Sequence, residues 1–401
     1  MDRIVLSGFN KKTYKIHITM NFELTEEQEL IRQTVRDFAE REVKPVAQEL
    51  DEKGAFSLDL TKKIGELGLF GMYLPEKYGG QGLDTLSYII AVEELARVDG
   101  SQAATLAAHN SLGIGPLYYY GTEEQKMKYL PALCTGEGLW AFGLTEPDAG
   151  SDSRGSKTTA KLEDGKWRIS GSKIFITNGS VDISLGATVQ AVTKTFPDGK
   201  KEFTTIIVEK GTPGFKRVQM HGKMMWRASD TSELYFDDCV VPEENLLGKI
   251  GEGSHIMLST LDNGRLSIAA MGLGLAQGAF EMALQYAQER KQFGKPISKF
   301  QINAFKLADM AMEIELARNL LYKACWLKDN KKPFAKEAAM SKLYCSEVAR
   351  RVADEAVQIH GGYGLMKDYP IERFYRDQRL LQIGEGTSEI QRLVISRYIG
   401  C

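Results

Sequence analysis

The chain has 401 residues, 43% hydrophobic and 26% charged, enough for two or three globular domains around a sizeable core. A net charge of -2 supplies no basic field for nucleic acid or an anionic membrane, and no run reads as apolar over a bilayer-spanning length. Five scattered cysteines without a C-x-x-C pair read as free thiols, and five histidines without H-E-x-x-H or paired Cys/His spacing argue against a metal site.

Residues 1–19 mix charges with isolated apolar residues and hold neither a signal-peptide core nor an Arg- and Ser-rich presequence. They are expected to be a disordered extension, with Met20 as an alternative start. Residues 20–139 read as helices. Thr25-Glu26-Glu27-Gln28 and Thr122-Glu123-Glu124-Gln125 are capping boxes, with a hydroxyl N-cap and Gln three residues on. Leu30, Val35, Phe38 and Val43 follow at roughly helical spacing, and Pro45 is expected to stop that run. Pro75 and Gly79-Gly80 mark a loop.

Residues 140–250 read as an antiparallel β domain. Lys157–Glu163 and Trp167–Ser170 flank Asp164-Gly165, a hairpin signal. Phe203–Val208 follows the turn Pro197-Asp198-Gly199, and Ser232–Val241 closes the region before Pro242. Residues 251–401 return to long helices, with Ser298-Lys299-Phe300-Gln301 as another capping box. An apolar stripe from Tyr344 through Val348, Val352, Ala356 and Ile359 ends at Gly361-Gly362. The fold class is therefore α+β, mainly α: an N-terminal helical domain, a middle β domain and a C-terminal helical bundle. The one glycine cluster near a dinucleotide fingerprint, Gly272 to Gly278, has the wrong spacing and lies inside a helical run, where close helix packing explains it better.

Five segments carry candidate chemistry, each with a plainer reading beside it. Leu144–Asp152 (LTEPDAGSD) is a Pro/Gly turn that exposes backbone N–H groups and hydroxyls, or an ordinary β-turn. Lys173–Gly179 is a strand whose Phe175 and Thr177 share one face by alternation; that face could cover a flavin or simply join the core. Glu289–Pro296 places Arg290 where a helix ends, to pair with a pyrophosphate or with the helix terminus itself. Gln358–Gly364 allows close backbone approach to a ligand and also reads as a helix C-cap, with His360 packed rather than reactive. In Ile383–Arg392, Ser388-x-x-Gln391 reads as a capping box, so Glu385 sits between two glycines just before a helix, free to reach into a cleft or solvated at its mouth.

In this order and spacing, LTEPDAGSD, FITNG, ERKQFGKPI, QIHGGYG and IGEGTSEIQR resemble the acyl-CoA dehydrogenase family, most closely its short-chain and bacterial branches, from Met20 to the C-terminus. The resemblance implies FAD held without a Rossmann fingerprint. The matching flavin contacts are Phe142, Leu144, Thr145, Ser151, Phe175 and Thr177. Arg290, with Gln301 further along, matches a contact to a neighbouring subunit's FAD; Gln358, Gly361 and Gly362 match a further FAD segment, as do Thr387 and Glu389. On the substrate side the matches are Ser151, Asp262, Arg265 and Gly386.

The implied reaction is dehydrogenation of an acyl-CoA thioester to the 2-enoyl-CoA. Glu385 accepts the α-proton and FAD N5 the β-hydride, with the backbone N–H of the base among the donors to the thioester oxygen. Some branches place the base in a helix just before the residue matching Arg265; here that position is Gly264, which leaves Glu385. Gly384 departs from the family's usual aromatic residue. The resemblance to the short-chain branch implies a short acyl group, and the small side chains of Ala103–Ala108 leave room for a branched or cyclic one, or merely suit a packed helix. No arginine there invites a second carboxylate. The resemblance further implies electron-transferring flavoprotein as partner, a homotetramer and a cytoplasmic location in a bacterium. An acyl-CoA oxidase, a flavoenzyme of this fold acting on a non-CoA substrate, and a non-enzymatic flavoprotein or scaffold are the competing readings.

Overall fold

The computed structural model describes residues 23–401; the extension expected at 1–19 lies outside them. Seven helices come first: α1 (Glu26–Phe38), α2 (Lys44–Lys53), α3 (Leu58–Glu66), α4 (Thr85–Ala96), α5 (Gly100–Ala108), α6 (Gly115–Tyr120) and α7 (Glu123–Cys134). Both capping boxes form, with Thr25 Oγ1 accepting from Gln28 N and Thr122 Oγ1 from Gln125 N at 3.2 Å each. Pro45 does not stop the first run. A widened turn, Ala39–Val43, leads into α2, where Pro45 occupies the first turn and needs no N–H partner. The α2 helix ends instead at Gly54, at φ 61°. Leu30, read as part of the buried stripe, is 68% exposed.

Eight strands form one sheet: β1 (Leu139–Gly143), β2 (Thr159–Glu163), β3 (Lys166–Thr177), β4 (Ser184–Thr195), β5 (Lys201–Glu209), β6 (Phe215–Gln219), β7 (Thr231–Pro242) and β8 (Leu246–Leu247). Their order is β6-β7-β3-β2-β4-β5-β8, with β1 beside β4. Asp164 and Gly165, at φ 51° and 70°, turn the β2–β3 hairpin with the left-handed pair such a turn requires. The sheet is antiparallel except at β4, which runs parallel to β1 and bridges β2 at Thr159–Val192. The sequence reading passes over β4. It is buried on both faces through Val192, so its apolar residues do not alternate.

The chain then returns to helices: α8 (Gly253–Glu289), α9 (Gln301–Asp329), α10 (Ala335–His360), α11 (Ile371–Asp377) and α12 (Ser388–Tyr398), with a short ribbon of β9 (Lys291–Gln292) and β10 (Lys295–Pro296) after α8. α8 is the spine of the molecule. Its glycines make contact with neighbouring backbone: a Cβ at Gly274 would lie 2.2 Å from Glu93 O and one at Gly278 2.1 Å from Arg97 O. Contrary to expectation, α8 is long and apolar enough to cross a membrane by composition. It is a core helix here, and 78% of its apolar stretch is buried inside the protein.

Two expected caps move. Ser298 lies in a tight turn after Pro296, and α9 begins at Gln301 behind an extended Phe300 with no side-chain cap. Thr387, not Ser388, caps α12, accepting from Ile390 N at 3.3 Å. The Ser388 hydroxyl is drawn instead to Glu347 Oε1. The stripe Val348, Val352, Ala356 and Ile359 is buried as expected, and α10 ends at Gly361.

A buried polar cluster joins the parts. Asp377 Oδ1 accepts from Trp226 N at 2.8 Å, and Arg376 donates to Asp51 at 2.7 Å. Arg373 lies 3.6 Å from Asp99, which caps α5.

Candidate active site

The site lies where α8, α10 and the turn before α12 meet the mouth of the sheet. Glu385 stands in that turn at φ 53°, followed by Gly386 at 91°. A left-handed glutamate is uncommon and is tolerated only where its surroundings hold it. Gln391 Nε2 donates to Glu385 O at 3.3 Å and to Gly386 O at 3.0 Å. The side chain faces Gly264 of α8, where a Cβ would lie 1.9 Å from Glu385 Oε2 and 3.2 Å from Leu112 Cδ2. Glu385 is half-buried as a residue, but its Oε2 is shut off from solvent and has no hydrogen-bond partner among the described residues. Burial pushes its carboxyl up to about 7, against the pull of Lys342 and Arg265.

Arg265, only 7% exposed, pairs with Asp262 one turn back, while its Nε has no partner among the described residues. Burial raises the Asp262 carboxyl, opposed by Arg265. Phe142, Leu144 and Met257 form an apolar wall with Leu112 and Leu261. Tyr88 closes another side, its hydroxyl 2.9 Å from Ser267 Oγ and 3.2 Å from Ala107 O.

The Leu144–Asp152 turn is tied down by hydrogen bonds. Glu146 accepts from Lys157 N at 2.6 Å, Thr158 N at 3.1 Å and Lys173 Nζ at 2.7 Å, and Lys173 also reaches Leu144 O. Burial pushes Lys173 down to about 8; for Glu146, burial is outweighed by Lys173 and its carboxyl is lowered. Two strands on, a bulge lies between Lys173 and Ile176, where Phe175 takes φ 61° and stays 62% exposed. A bulky aromatic that is both strained and uncovered is a ready platform for a planar ligand. The bulge interrupts the strict alternation expected there, although Phe175 and Thr177 both lie off the buried side. Thr145 and Ser151 lie in the turn above, and Thr387 and Glu389 just beyond Glu385 in the chain.

Arg290, Gln301, Gln358, Gly361 and Gly362 are elsewhere. All are exposed, at the far ends of α8 and α10 and the start of α9. Along α8, Arg290 is about 37 Å from Arg265 at 1.5 Å per residue. Arg290 rests on the Tyr363 ring at 5.5 Å. His360 is buried, stacks on Tyr286 at 4.4 Å and holds Ala356 O at 2.7 Å, a packed residue as expected. Sequence reasoning missed Lys342, Gln391, Tyr88, Leu112 and the roles of Glu146 and Lys173. Lys342 carried a usable signal: it falls on the same helical face as Cys345, Ala349 and Val352, a core position holding a charge.

This arrangement defines a class: a helical–β–helical protein with an internal, apolar-walled carboxyl group at the domain junction. Family models for the acyl-CoA dehydrogenase N-terminal, middle and C-terminal domains match residues 25–137, 141–239 and 251–400. A short-chain specific acyl-CoA dehydrogenase of Clostridium acetobutylicum is 50% identical over 94% of this chain and 99% of its own. The butyryl-CoA dehydrogenase of Megasphaera elsdenii superposes with TM-score 0.92 at 46% identity, over 95% of this chain and 100% of that one. A chain from the structure of the electron transferring flavoprotein of Acidaminococcus fermentans does so with TM-score 0.92 at 48% identity, at the same coverage. An acyl-CoA dehydrogenase from Bacillus anthracis, solved complexed with FAD, superposes with TM-score 0.88 at 38% identity, over 94% of this chain and 67% of that one. The chain belongs to the acyl-CoA dehydrogenase family and is an oxidoreductase.

Proposed function

We propose that this protein, with FAD bound, oxidises a short-chain acyl-CoA thioester between Cα and Cβ to the 2-enoyl-CoA, with Glu385 accepting the α-proton. The observation that carries this reading is the Glu385 carboxylate. It is aimed over Gly264, cut off from water at Oε2 and raised toward neutrality, which strengthens it as a base. Its backbone N–H has no acceptor among the described residues and is available to stabilise the developing enolate oxygen. Asp262, Arg265, Ser151 and Gly386 border the thioester end, and the wall of Phe142, Leu144, Met257, Leu112 and Leu261 excludes water around the acyl chain.

FAD supplies the hydride acceptor when bound. Phe142, Leu144, Thr145, Ser151, Phe175, Thr177, Thr387 and Glu389 would hold it in this chain's own site. Arg290, Gln301, Gln358, Gly361 and Gly362 lie too far away for that. They would serve the FAD of a second copy, which favours a homo-oligomer, by family a tetramer. Electrons would pass to an electron-transferring flavoprotein, a role in keeping with the Acidaminococcus relative, and the likeness to bacterial proteins favours the cytoplasm. The acyl group is short-chain, branched or cyclic, with Ala103–Ala107 buried behind Tyr88.

Visible spectra before and after anaerobic addition of an acyl-CoA panel test this reading. Bleaching of a flavin band by short acyl-CoAs is expected, and the members that bleach it fastest name the acyl group. A flavin band that no member bleaches would remove the substrate class. Peroxide formation at the rate of turnover would favour an oxidase instead.

A further inference from the structure

Lys342 of α10 is wholly buried, yet it forms no ion pair among the described residues. Its Nζ donates to the Gly386 carbonyl at 2.7 Å. Burying an ammonium without a bonded counter-ion is costly, and such groups are kept where they hold or tune something. What this one holds is the turn of the base. Glu385 and Gly386 are two successive left-handed residues, and among the described residues three side-chain bonds fix their carbonyls: Lys342 and Gln391 on Gly386, and Gln391 on Glu385. One turn further along α10, Ser346 Oγ donates to Leu381 O at 2.9 Å, so the same helix face grips both ends of the segment leading into Glu385.

The charges around the pair are few. Lys342 of α10 and Arg265 of α8 face the Glu385 carboxylate, and Tyr88 of α4 feels its charge. Lys342 itself faces Glu385, Arg265, Glu389 of α12 and Glu347 of its own helix. Arg265 is already paired with Asp262, which leaves Lys342 as the cation beside the base without a partner carboxylate in contact.

We propose that Lys342 is a positioning residue for the base: its ammonium locks the Glu385–Gly386 turn through the Gly386 carbonyl and sets a positive charge against the Glu385 carboxylate. The inference rests on the reading of Glu385 as the base. Burial holds the Lys342 ammonium down to about 8, so the charge and the clamp weaken together as pH rises past neutrality.

The test is the pH profile of the flavin-loaded enzyme with a short acyl-CoA. Lys342→Met keeps the length and removes the charge. Its kcat is expected to fall about tenfold or more with KM little changed, and the acid limb of kcat/KM to move up by about one pH unit, because an opposite charge nearby lowers a carboxyl by roughly 1–3 units. Lys342→Arg, which keeps the charge, should return the limb toward its original position. An acid limb that does not move in Lys342→Met, with kcat within about twofold, would overturn the inference. If Lys342→Met does not retain flavin, Lys342→Arg decides alone: a limb displaced upward despite the retained charge overturns it, and an unmoved limb supports it. Glu385→Gln separates the two readings. A dead Glu385→Gln beside an unmoved Lys342→Met sinks the Lys342 inference only, whereas an active Glu385→Gln sinks both.

Discussion

Gly264 and Glu385 are complementary: a single Cβ on the helix would lie 1.9 Å from Oε2 of the carboxylate. One residue must be bare for the other to reach its place. Gly264→Ala is therefore expected to push the carboxylate aside while leaving the helix intact, since alanine favours it. Displacing a reacting group by about 1 Å costs on the order of 10²-fold in rate. Stopped-flow bleaching of the flavin by a short acyl-CoA should slow by roughly that factor, with flavin content unchanged.

Glu385→Gln should bind FAD and ligand but lose nearly all turnover, measured by dye reduction. It should also change how stability depends on pH. The folded carboxyl lies near 7, above its ordinary 4.5. The stability this group contributes is complete below about 4.5 and is lost as pH rises through 7. The glutamine suffers no such loss. Thermal melts should coincide near pH 4.5 and favour the variant at pH 8, by at most about 3 kcal/mol.

The Glu146–Lys173 pair sits under the Leu144–Asp152 turn, and Lys173 is fully buried. Removing one partner leaves a buried charge alone, which costs roughly 3–5 kcal/mol. Lys173→Met should lower the melting temperature and release flavin on gel filtration. Glu146→Gln, which keeps an acceptor for the backbone N–H groups, should do both less severely.

Asp377 is a second pH-sensitive carboxyl. Burial, helped by the charge of Asp99, pushes it up to about 7. Its Oδ2 has no partner among the described residues, while Oδ1 holds Trp226 N. Stability from this group is full below its ordinary 3.8 and declines as pH rises through 7. Asp377→Asn preserves the Oδ1 bond, so calorimetry should find its fold intact and its stability less sensitive between pH 5 and pH 8.

Much of the fold was legible in the sequence because it is written in local terms. Capping boxes at Thr25 and Thr122, the Asp164-Gly165 turn and the buried stripe from Val348 to Ile359 each depend on residues a few positions apart. Where two local signals competed, reading failed. Thr387 took the cap from Ser388, and a turn after Pro296 displaced the start of α9 past Ser298. β4 escaped notice because burial on both faces erases the alternation that reveals a strand.

The residue types of the site, a carboxylate between glycines and a glycine one position before Arg265, could be read from the chain alone, because backbone freedom and side-chain chemistry belong to each residue by itself. Only the tertiary structure decided that Gly264 and Glu385 touch, that Lys342 spends its proton on Gly386, that Glu146 and Lys173 form a pair under the turn, and that Arg290 stands a helix length from Arg265. Each of these is a contact, or a separation, between distant segments. Burial there removes water, raises the Glu385 carboxyl and sets a buried ammonium on the Gly386 carbonyl, an effect that depends on what surrounds each group in space.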